Sequence, residues 1–333
     1  MSNVPSSDNG IFLWMTYQAM TKAGLDCAAI FSSVGMPDAP PDQRERRINS
    51  PQKRFWDAAQ KVSQNADIGL HIGSLMPPFR GQVLEYLFLS SPTFGEGLER
   101  TLRYNRLATD AMQFRLRVED DVAILSGLEH PVRHYLEHAT CIVLRFLQQV
   151  SDGEFQPCHI AFCHIQGASQ QDYQRIYGCP VTLGAGEGAI HFDASLLRRS
   201  SLAAEPELLA MHEQLAAEKL ADLRRRDFVL KLERELGGLL EQGEASLDAL
   251  AAKLGISTRN LRTELDGAGT SFKVVLNQYR ERLACRLLAR TSEPLDQIIY
   301  LTGFSEPAAF TRAFKRWTGE TPSAYRKRLH ELN

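Results

Sequence analysis

The sequence predicts an α+β N-terminal domain followed by an all-α C-terminal domain in which two helix-turn-helix units are joined by a linker helix. Three observations carry this. An eight-residue pattern that ends in glycine, a hydrophobe and serine recurs at an offset of 48 near the C-terminus, helical and alternating apolar patterns mix without regular order before residue 205, and charge divides unevenly between the two ends. A chain of 333 residues exceeds what one hydrophobic core ordinarily serves, which favours two domains. With 44% hydrophobic and 23% charged residues it lies at the globular average, which excludes a largely disordered or fibrous chain. The expected division is 1–205 for the α+β domain, 206–230 for a connecting helix and 231–329 for the double helix-turn-helix.

Apolar spacing of three to four residues predicts helices over 11–23, 55–62 and 94–107, the last after a Ser-Pro-Thr break. Pro37, Pro40 and Pro41 mark a loop. Phe114, Leu116 and Val118 then alternate with polar residues, Glu119-Asp120-Asp121 turns the chain, and Val122, Ile124 and Leu128 follow in the pattern of a hairpin. Helical spacing returns over 134–150, and strand-like segments at 158–165 and 189–192 flank a helix at 170–177. Helices and strands in this order make an α+β domain. Residues 200–206 form a polar linker into a helix where Leu209, Ala216 and Leu223 repeat at seven-residue spacing beside Leu208 and Leu215. Such a stripe suits either its own domain or a second copy of the chain.

The formal net charge of −2 averages over two unlike halves. Residues 246–333 hold 14 Lys and Arg against 9 Asp and Glu, a surplus of five positive charges; the totals of 38 and 40 leave 24 against 31 for residues 1–245. A basic end on an acidic body points to nucleic acid as the partner of that end. The six cysteines include no CxxC pair, so neither a disulfide framework nor a ribbon-type zinc site is indicated, and a reducing compartment fits. The opening residues are polar, and no apolar run approaches the ~18 residues that span a bilayer. The expectation is a soluble, cytoplasmic protein with no membrane association, no cofactor and no resident metal.

The repeat is the most informative feature. LAAKLGIS (250–257) aligns with IIYLTGFS (298–305). Each copy ends a helix at a glycine (Gly255, Gly303), turns through a hydrophobe expected to be buried (Ile256, Phe304), and opens a second helix at a serine expected to cap it (Ser257, Ser305). That is helix-turn-helix grammar, twice. In such motifs the second helix enters the major groove by its N-terminal turns. The first offers Thr258, Arg259, Asn260, Arg262 and Thr263 around Leu261 and Leu265; the second offers Thr311, Arg312, Lys315 and Arg316 around Phe310, Phe314 and Trp317. The second begins Glu306-Pro307-Ala308-Ala309, so Ala308 there can make only apolar contact, as to a thymine methyl group. Residues 271–289 have the spacing of one continuous helix between the units, and ~18 residues at 1.5 Å each span roughly 27 Å. That is of the order of the ~34 Å between major-groove faces one turn apart. One chain can thus place both helices in successive grooves of modestly bent DNA.

Residues 247–329 closely resemble the DNA-binding domain of the AraC/XylS family of bacterial regulators. The resemblance rests on GISTRNLRTEL, AGTSFKVVLNQYRERLACRLL and LTGFSEPAAFTRAFKRWTGETPSAYR. It implies seven helices, with base-contacting positions at Arg259, Arg262 and Thr263 in the first unit and Ala308 and Arg312 in the second. Where the family often carries a basic cluster, this chain has Thr263, Glu264 and Asp266, which weakens the expected phosphate grip of the first unit. DIGLHIGSL (67–75), LSSPTFGEGLERTLRYNRL (89–107) and YGCPVTLGAGEGAIHFD (177–193) resemble the arabinose-binding-like N-terminal domain of the subgroup typified by the ornithine-utilisation regulator. That resemblance implies a sensor of a small effector, a homodimer, promoter DNA and RNA polymerase as partners, and regulation of transcription, as an activator, in place of catalysis.

Three local patterns invite other readings. His134-Tyr-Leu-Glu137-His138 fits the HxxEH of inverted zinc peptidases, where imidazoles four apart on a helix hold zinc and the glutamate acts as base. No partnered third-ligand signature follows, and a pocket-lining or surface role is the expectation. A zinc hydrolase with the C-terminal domain as targeting is the rival reading. Cys158-His159 and Cys163-His164 resemble a metal cluster, but residues five apart on a strand face opposite sides. His164 alone remains as a residue that lines a pocket or sits as a satisfied structural histidine. The run GAGEG (184–188) precedes a strand-like segment, whereas phosphate loops precede helices, so a turn between strands is expected.

Overall fold

The computed structural model describes residues 5–331 and divides into two compact units, one over Pro5–Ala221 and one from Asp222 onward. In the first, β1 (Ser7–Asp8) leads into α1 (Gly10–Lys22) and α2 (Cys27–Ser32), and β2 (Arg47–Ile48) returns to pair antiparallel with β1. Helices α3 (Gln52–Ser63), α4 (Ile68–Leu75), α5 (Val83–Leu89) and α6 (Phe94–Arg103) follow. The hairpin β3 (Arg115–Glu119) and β4 (Val122–Ser126) comes next, then α7 (Arg133–Val150), β5 (Pro157–Phe162), α8 (Gln170–Tyr177), β6 (Val181–Leu183) and β7 (Ala189–Asp193). The sheet order is β3-β4-β7-β5-β6, antiparallel except for the parallel pair β5 and β6. This is the expected α+β class.

Helix α7 organises this domain. Its face buries Leu136, Ala139, Cys141, Leu144 and Leu147 in a core shared with Met15, Trp56, Phe162 and Phe192. Helix α4 lies against it so closely that a methyl group on Gly69 would stand 2.3 Å from the carbonyl oxygen of His134. The glycines of DIGLHIGSL are thus a consequence of helix packing. Near-uniform burial of Ile68, Leu70 and Ile72 also removes the polar face that would have marked α4 as a helix in the sequence. The expected helix over 94–107 breaks after Arg103 into a short 3-10 turn at Asn105–Leu107. The expected strand at 158–165 ends at Phe162, beyond which Gly184 N and Ala185 N donate to His164 O and Phe162 O in an irregular crossing. The GAGEG run links β6 to β7 as a turn.

The HxxEH residues take three separate sets of partners. His134 Nε2 lies 3.0 Å from Gln60 Oε1, and Glu137 Oε1 accepts from Tyr173 (2.5 Å) and from Arg133 Nε (3.0 Å). His138 Nε2 lies 3.1 Å from Thr16 Oγ1 and 3.2 Å from Met76 Sδ. Because the Thr16 hydroxyl donates to Phe12 O at 2.7 Å, its oxygen accepts, which places the His138 proton on Nε2. Among the described residues no group of three His, Cys, Asp or Glu side chains is arranged to hold a metal. Cys158 and Cys163 are both exposed, and His164 stacks on Phe162 at the edge of a shallow cleft with Glu129 and Gly186.

The second unit begins within α9 (Pro206–Glu241). Along the N-terminal part of this helix Leu209, Ala216 and Leu220 join the core of the first unit, while Leu208, Met211 and Leu215 are exposed. Its C-terminal part supplies Leu232, Leu236, Leu239 and Leu240 to a second core with α10 (Leu247–Leu254), α11 (Thr258–Gly267) and the start of α12 (Phe272–Arg290). A third core joins the end of α12 to α13 (Leu295–Leu301) and α14 (Pro307–Thr318), with Tyr325 of α15 (Pro322–Glu331) against it. Among the described residues no helix is long and apolar enough to cross a membrane.

Burial depresses the pKa of His138 to about 3 and that of His134 to about 4, so both are neutral when folded. An unfolded histidine titrates near ~6.5, and between that value and the depressed ones the unfolded chain binds protons that the native chain does not. Stability therefore falls on acidification through this window. The buried Asp8 and Glu137, whose pKa values burial raises, act in the opposite sense, since the native state takes up their protons first. Replacing His138 isolates its own contribution. The loss of urea-unfolding free energy between pH 7 and pH 5 should be about 2 kcal/mol smaller in His138→Met than in the natural protein. Equal losses would show that folding does not depress the pKa of His138.

Candidate nucleic-acid interface and interior cavity

The two repeats superimpose in their hydrogen bonding. Ile256 N donates to Ala251 O and Phe304 N to Ile299 O, both at 3.1 Å, and Gly255 and Gly303 occupy the left-handed region at φ 70° and 71°. Each turn therefore closes its first helix by the same αL device. The hydrophobes between differ. Phe304 is half-buried against Phe310 and Trp317, with the Arg280 guanidinium 4.6 Å above its ring. Ile256, expected to be buried, is 36% exposed: where Phe304 has the rings of Phe310 and Trp317, the positions 48 residues earlier in the first unit are Arg262 and Gly269.

The helix starts differ too. Ser257 caps α11 by accepting from Asn260 N at 3.1 Å, as expected. Ser305 does not cap α14. Pro307 stands at the first helical position, and a residue preceding proline is held in extended backbone, so Glu306 (φ −129°, ψ 129°) takes the cap position without a side-chain hydrogen bond. The second helix consequently starts one residue late relative to the repeat.

Burial of Leu261 and Leu265 fixes which face of α11 is outward. Arg259, Arg262 and Thr263 share that face at i, i+3 and i+4, with Asn260 beside them, and all four are exposed. Thr258 is half-buried and donates to Asp248 Oδ1 at 2.8 Å, which ties α11 to α10. In α14, Phe310 and Phe314 point inward and Ala308, Thr311, Arg312 and Lys315 form one outward row, with Arg316 adjacent. The hydroxyls of Thr263 and Thr311 donate back to Arg259 O and Pro307 O, leaving their oxygens as acceptors. Among the described residues Arg259, Arg262, Arg312, Lys315 and Arg316 are exposed cations without an ion pair.

Helix α12 belongs to both units. Its Val275 and Leu276 lie in the core of the first and its Ala284 and Leu288 in that of the second. Between them Arg280 Nη2 donates to Gly303 O at 2.8 Å, and Arg282 pairs with Glu233 of α9. A methyl group on Gly303 would stand 2.3 Å from Leu240 Cδ2 and 3.2 Å from Arg280 Nη2. The second turn is thus wedged against α9 and α12 together.

The N-terminal unit contains an apolar cavity of about 110 Å³ bounded by α1, α5, α6, α7 and β4, with Phe79, Leu98, Leu102, Ile142, Val143 and Phe146 among its walls. A chamber of about 240 Å³ between α1 and α3 shares Phe12, Tyr135 and His138 with it.

Two helix-turn-helix units on one body, each presenting a cationic helix face, define a double helix-turn-helix DNA-binding protein. Residues 24–201 match the model of the arabinose-binding domain of AraC transcription regulators, and residues 250–328 match a helix-turn-helix domain model. The ornithine utilization regulator of Pseudomonas aeruginosa is 29% identical over 81% of this chain and 81% of its own. The HTH-type transcriptional regulator VirS of Mycobacterium tuberculosis is 28% identical over 60% of this chain and 58% of its own. The crystal structure of the transcriptional regulator CdpR from Pseudomonas aeruginosa aligns with 95% of this chain and 98% of its own, at 18% identity and a TM-score of 0.43. The chain belongs to the AraC family of transcription regulators.

The capping difference and the wedge lead to one experiment. Ser257→Ala should lower the thermal stability of the C-terminal unit by about 1 kcal/mol, while Ser305→Ala should change it by no more than a few tenths. Gly303→Ala should cost at least ~1 kcal/mol for positive φ, with the Leu240 clash added, and so exceed Gly255→Ala, where nothing lies within 4 Å. Equal costs at the two glycines would dismiss the wedge.

Proposed function

We propose that the chain is an effector-responsive activator whose α11 and α14 read successive major grooves of promoter DNA. The observation that carries this reading is the membership of α12 in two cores, which holds both cationic helix faces on one body. The 19 residues of α12 span about 28 Å. Arg259, Asn260, Arg262 and Thr263 in the first unit, and Ala308, Thr311 and Arg312 in the second, are the positions for base edges; Thr258 supports α11 from behind and reaches DNA only through its oxygen. Lys315 and Arg316, in the last turn of α14, are the phosphate contacts. Asp266 lies seven residues from Arg259 on the same face and repels phosphate there, so α11 contributes selectivity more than grip.

The N-terminal domain supplies the response. An effector changes DNA affinity only if it binds the DNA-competent arrangement more tightly than the alternative. Exposed Leu208, Met211 and Leu215 on α9 favour a homodimer, which adds avidity on repeated half-sites, and RNA polymerase is the partner through which bound activator acts.

The reading separates by contact type. Arg259→Ala and Arg312→Ala should each cost about 1 to 3 kcal/mol on the target site and relax preference at one base pair. Lys315→Ala should weaken every sequence alike and reduce the salt slope of log K by about one unit. Binding titrations on specific and scrambled duplexes at several salt concentrations distinguish these, and a uniform loss for Arg259→Ala would remove its base-reading role. Inserting about five base pairs between half-sites, roughly half a turn, should abolish engagement of one of the two helices.

A further inference from the structure

We propose that the 110 Å³ cavity of the N-terminal domain is a binding site for an uncharged, largely hydrocarbon molecule of about the size of one aromatic ring. The proposal deepens the effector reading and rests on it only for what occupancy does to DNA affinity.

The donors around the cavity are already committed to protein acceptors. No Asp, Glu, Lys or Arg lines the cavity. Its polar residues have their hydrogens assigned to protein acceptors. Thr101 donates to Gly97 O (2.9 Å), Asn105 Nδ2 to Met112 O (2.9 Å) and Thr109 O (3.4 Å), and Thr109 to Asp8 Oδ1 (2.6 Å). Tyr135 donates to the same carboxylate oxygen at 3.0 Å, and the His138 Nε2 proton faces Thr16 and Met76. An anion entering here meets no free donor and no cation. A cation fares no better, because Asp8, the carboxylate bonded by the lining Thr109 and Tyr135, also receives Asn49, and burial raises its pKa. A buried charge without a partner is strongly disfavoured, so the site discriminates by refusing charge. Its size suits the same class: an engineered apolar cavity of about 150 Å³ admits benzene.

Toluene, benzoate and benzylamine share one ring and differ in charge, which makes them the test set for the full chain. Toluene should raise the melting temperature saturably, and the two ions should bind at least roughly a hundredfold more weakly. Ile142→Trp, or Leu102→Phe should that variant fail to fold, fills the cavity and should abolish the toluene response. Thr101→Val should preserve it, since that hydroxyl is already paired within α6. Benzoate or benzylamine binding as tightly as toluene, toluene binding unchanged in the filled variants, or no saturable toluene binding at all would each overturn the proposal. Toluene occupancy that leaves DNA affinity unaltered would leave the site standing and count against the effector reading. A DNA affinity that responds to a charged metabolite equally in Ile142→Trp and in the natural protein would uphold the effector reading and overturn this cavity as the effector's site.

Discussion

The DNA-facing half of this protein depends on one helix being buried twice. Had α12 packed on the first helix-turn-helix alone, the second would be a separate module and the spacing of the two outward helices would be set by a loop. Val275 and Leu276 at one end and Ala284 and Leu288 at the other instead make α12 a structural member of both cores. Arg280, half-way along, completes the junction through Gly303 O and the Phe304 ring. Its guanidinium is desolvated there, which lowers its pKa below the usual arginine value, yet arginine remains charged at any physiological pH. The cation–π contact and the charge-assisted hydrogen bond offset that desolvation.

A rigid pair of helices need not be a symmetric pair. Helix α11 begins with a serine cap and carries two arginines in its first turns, followed by Glu264 and Asp266. Helix α14 begins with Glu306 and Pro307, carries alanine where α11 carries polar groups, and gathers Arg312, Lys315 and Arg316 toward its end. The acidic and basic residues run in opposite order along the two. If both helices engage DNA as proposed, hydrogen-bonding discrimination concentrates in the first unit and charge neutralisation of the DNA backbone in the second, a division that follows from side-chain type and helix position together.

Much of this was legible in the sequence because it rests on period and punctuation. The 48-residue offset, the two glycines and the inward hydrophobes of α11 and α14 all follow from patterns that local sequence determines. The errors arose where tertiary contact or a neighbouring residue intervened. Ser305 reads as a cap until the conformational demand of Pro307 on Glu306 is considered. Ile256 reads as the equal of Phe304, but Phe304 is covered in part by Phe310, Trp317 and Arg280, and the positions 48 residues before the two rings are Arg262 and Gly269. In the N-terminal domain, α2, α4, α5 and the short strands β1, β2 and β6 are not marked by the sequence pattern; α4 has no polar face, and β6 is a three-residue strand whose partner is set by long-range pairing. The cavity left no trace in the sequence at all, since a void is defined by what several elements fail to fill.

The His134-Glu137-His138 pattern shows why spacing is weaker than surroundings as a guide to chemistry. A catalytic zinc site needs its ligands convergent on one point with a coordination position left open. Here the i and i+4 imidazoles share a face, as the motif requires, but that face is turned into the core, where Gln60 takes one ring and Thr16 with Met76 the other, while Glu137 bonds Tyr173 of α8. Three side chains that could have met at a metal instead join α7 to α1, α3, α8 and the end of α4. Committing these donors to separate partners is also what leaves the neighbouring cavity apolar, because the donors that line it are held elsewhere. The same network therefore removes the features of a hydrolase and creates the conditions for binding something without charge.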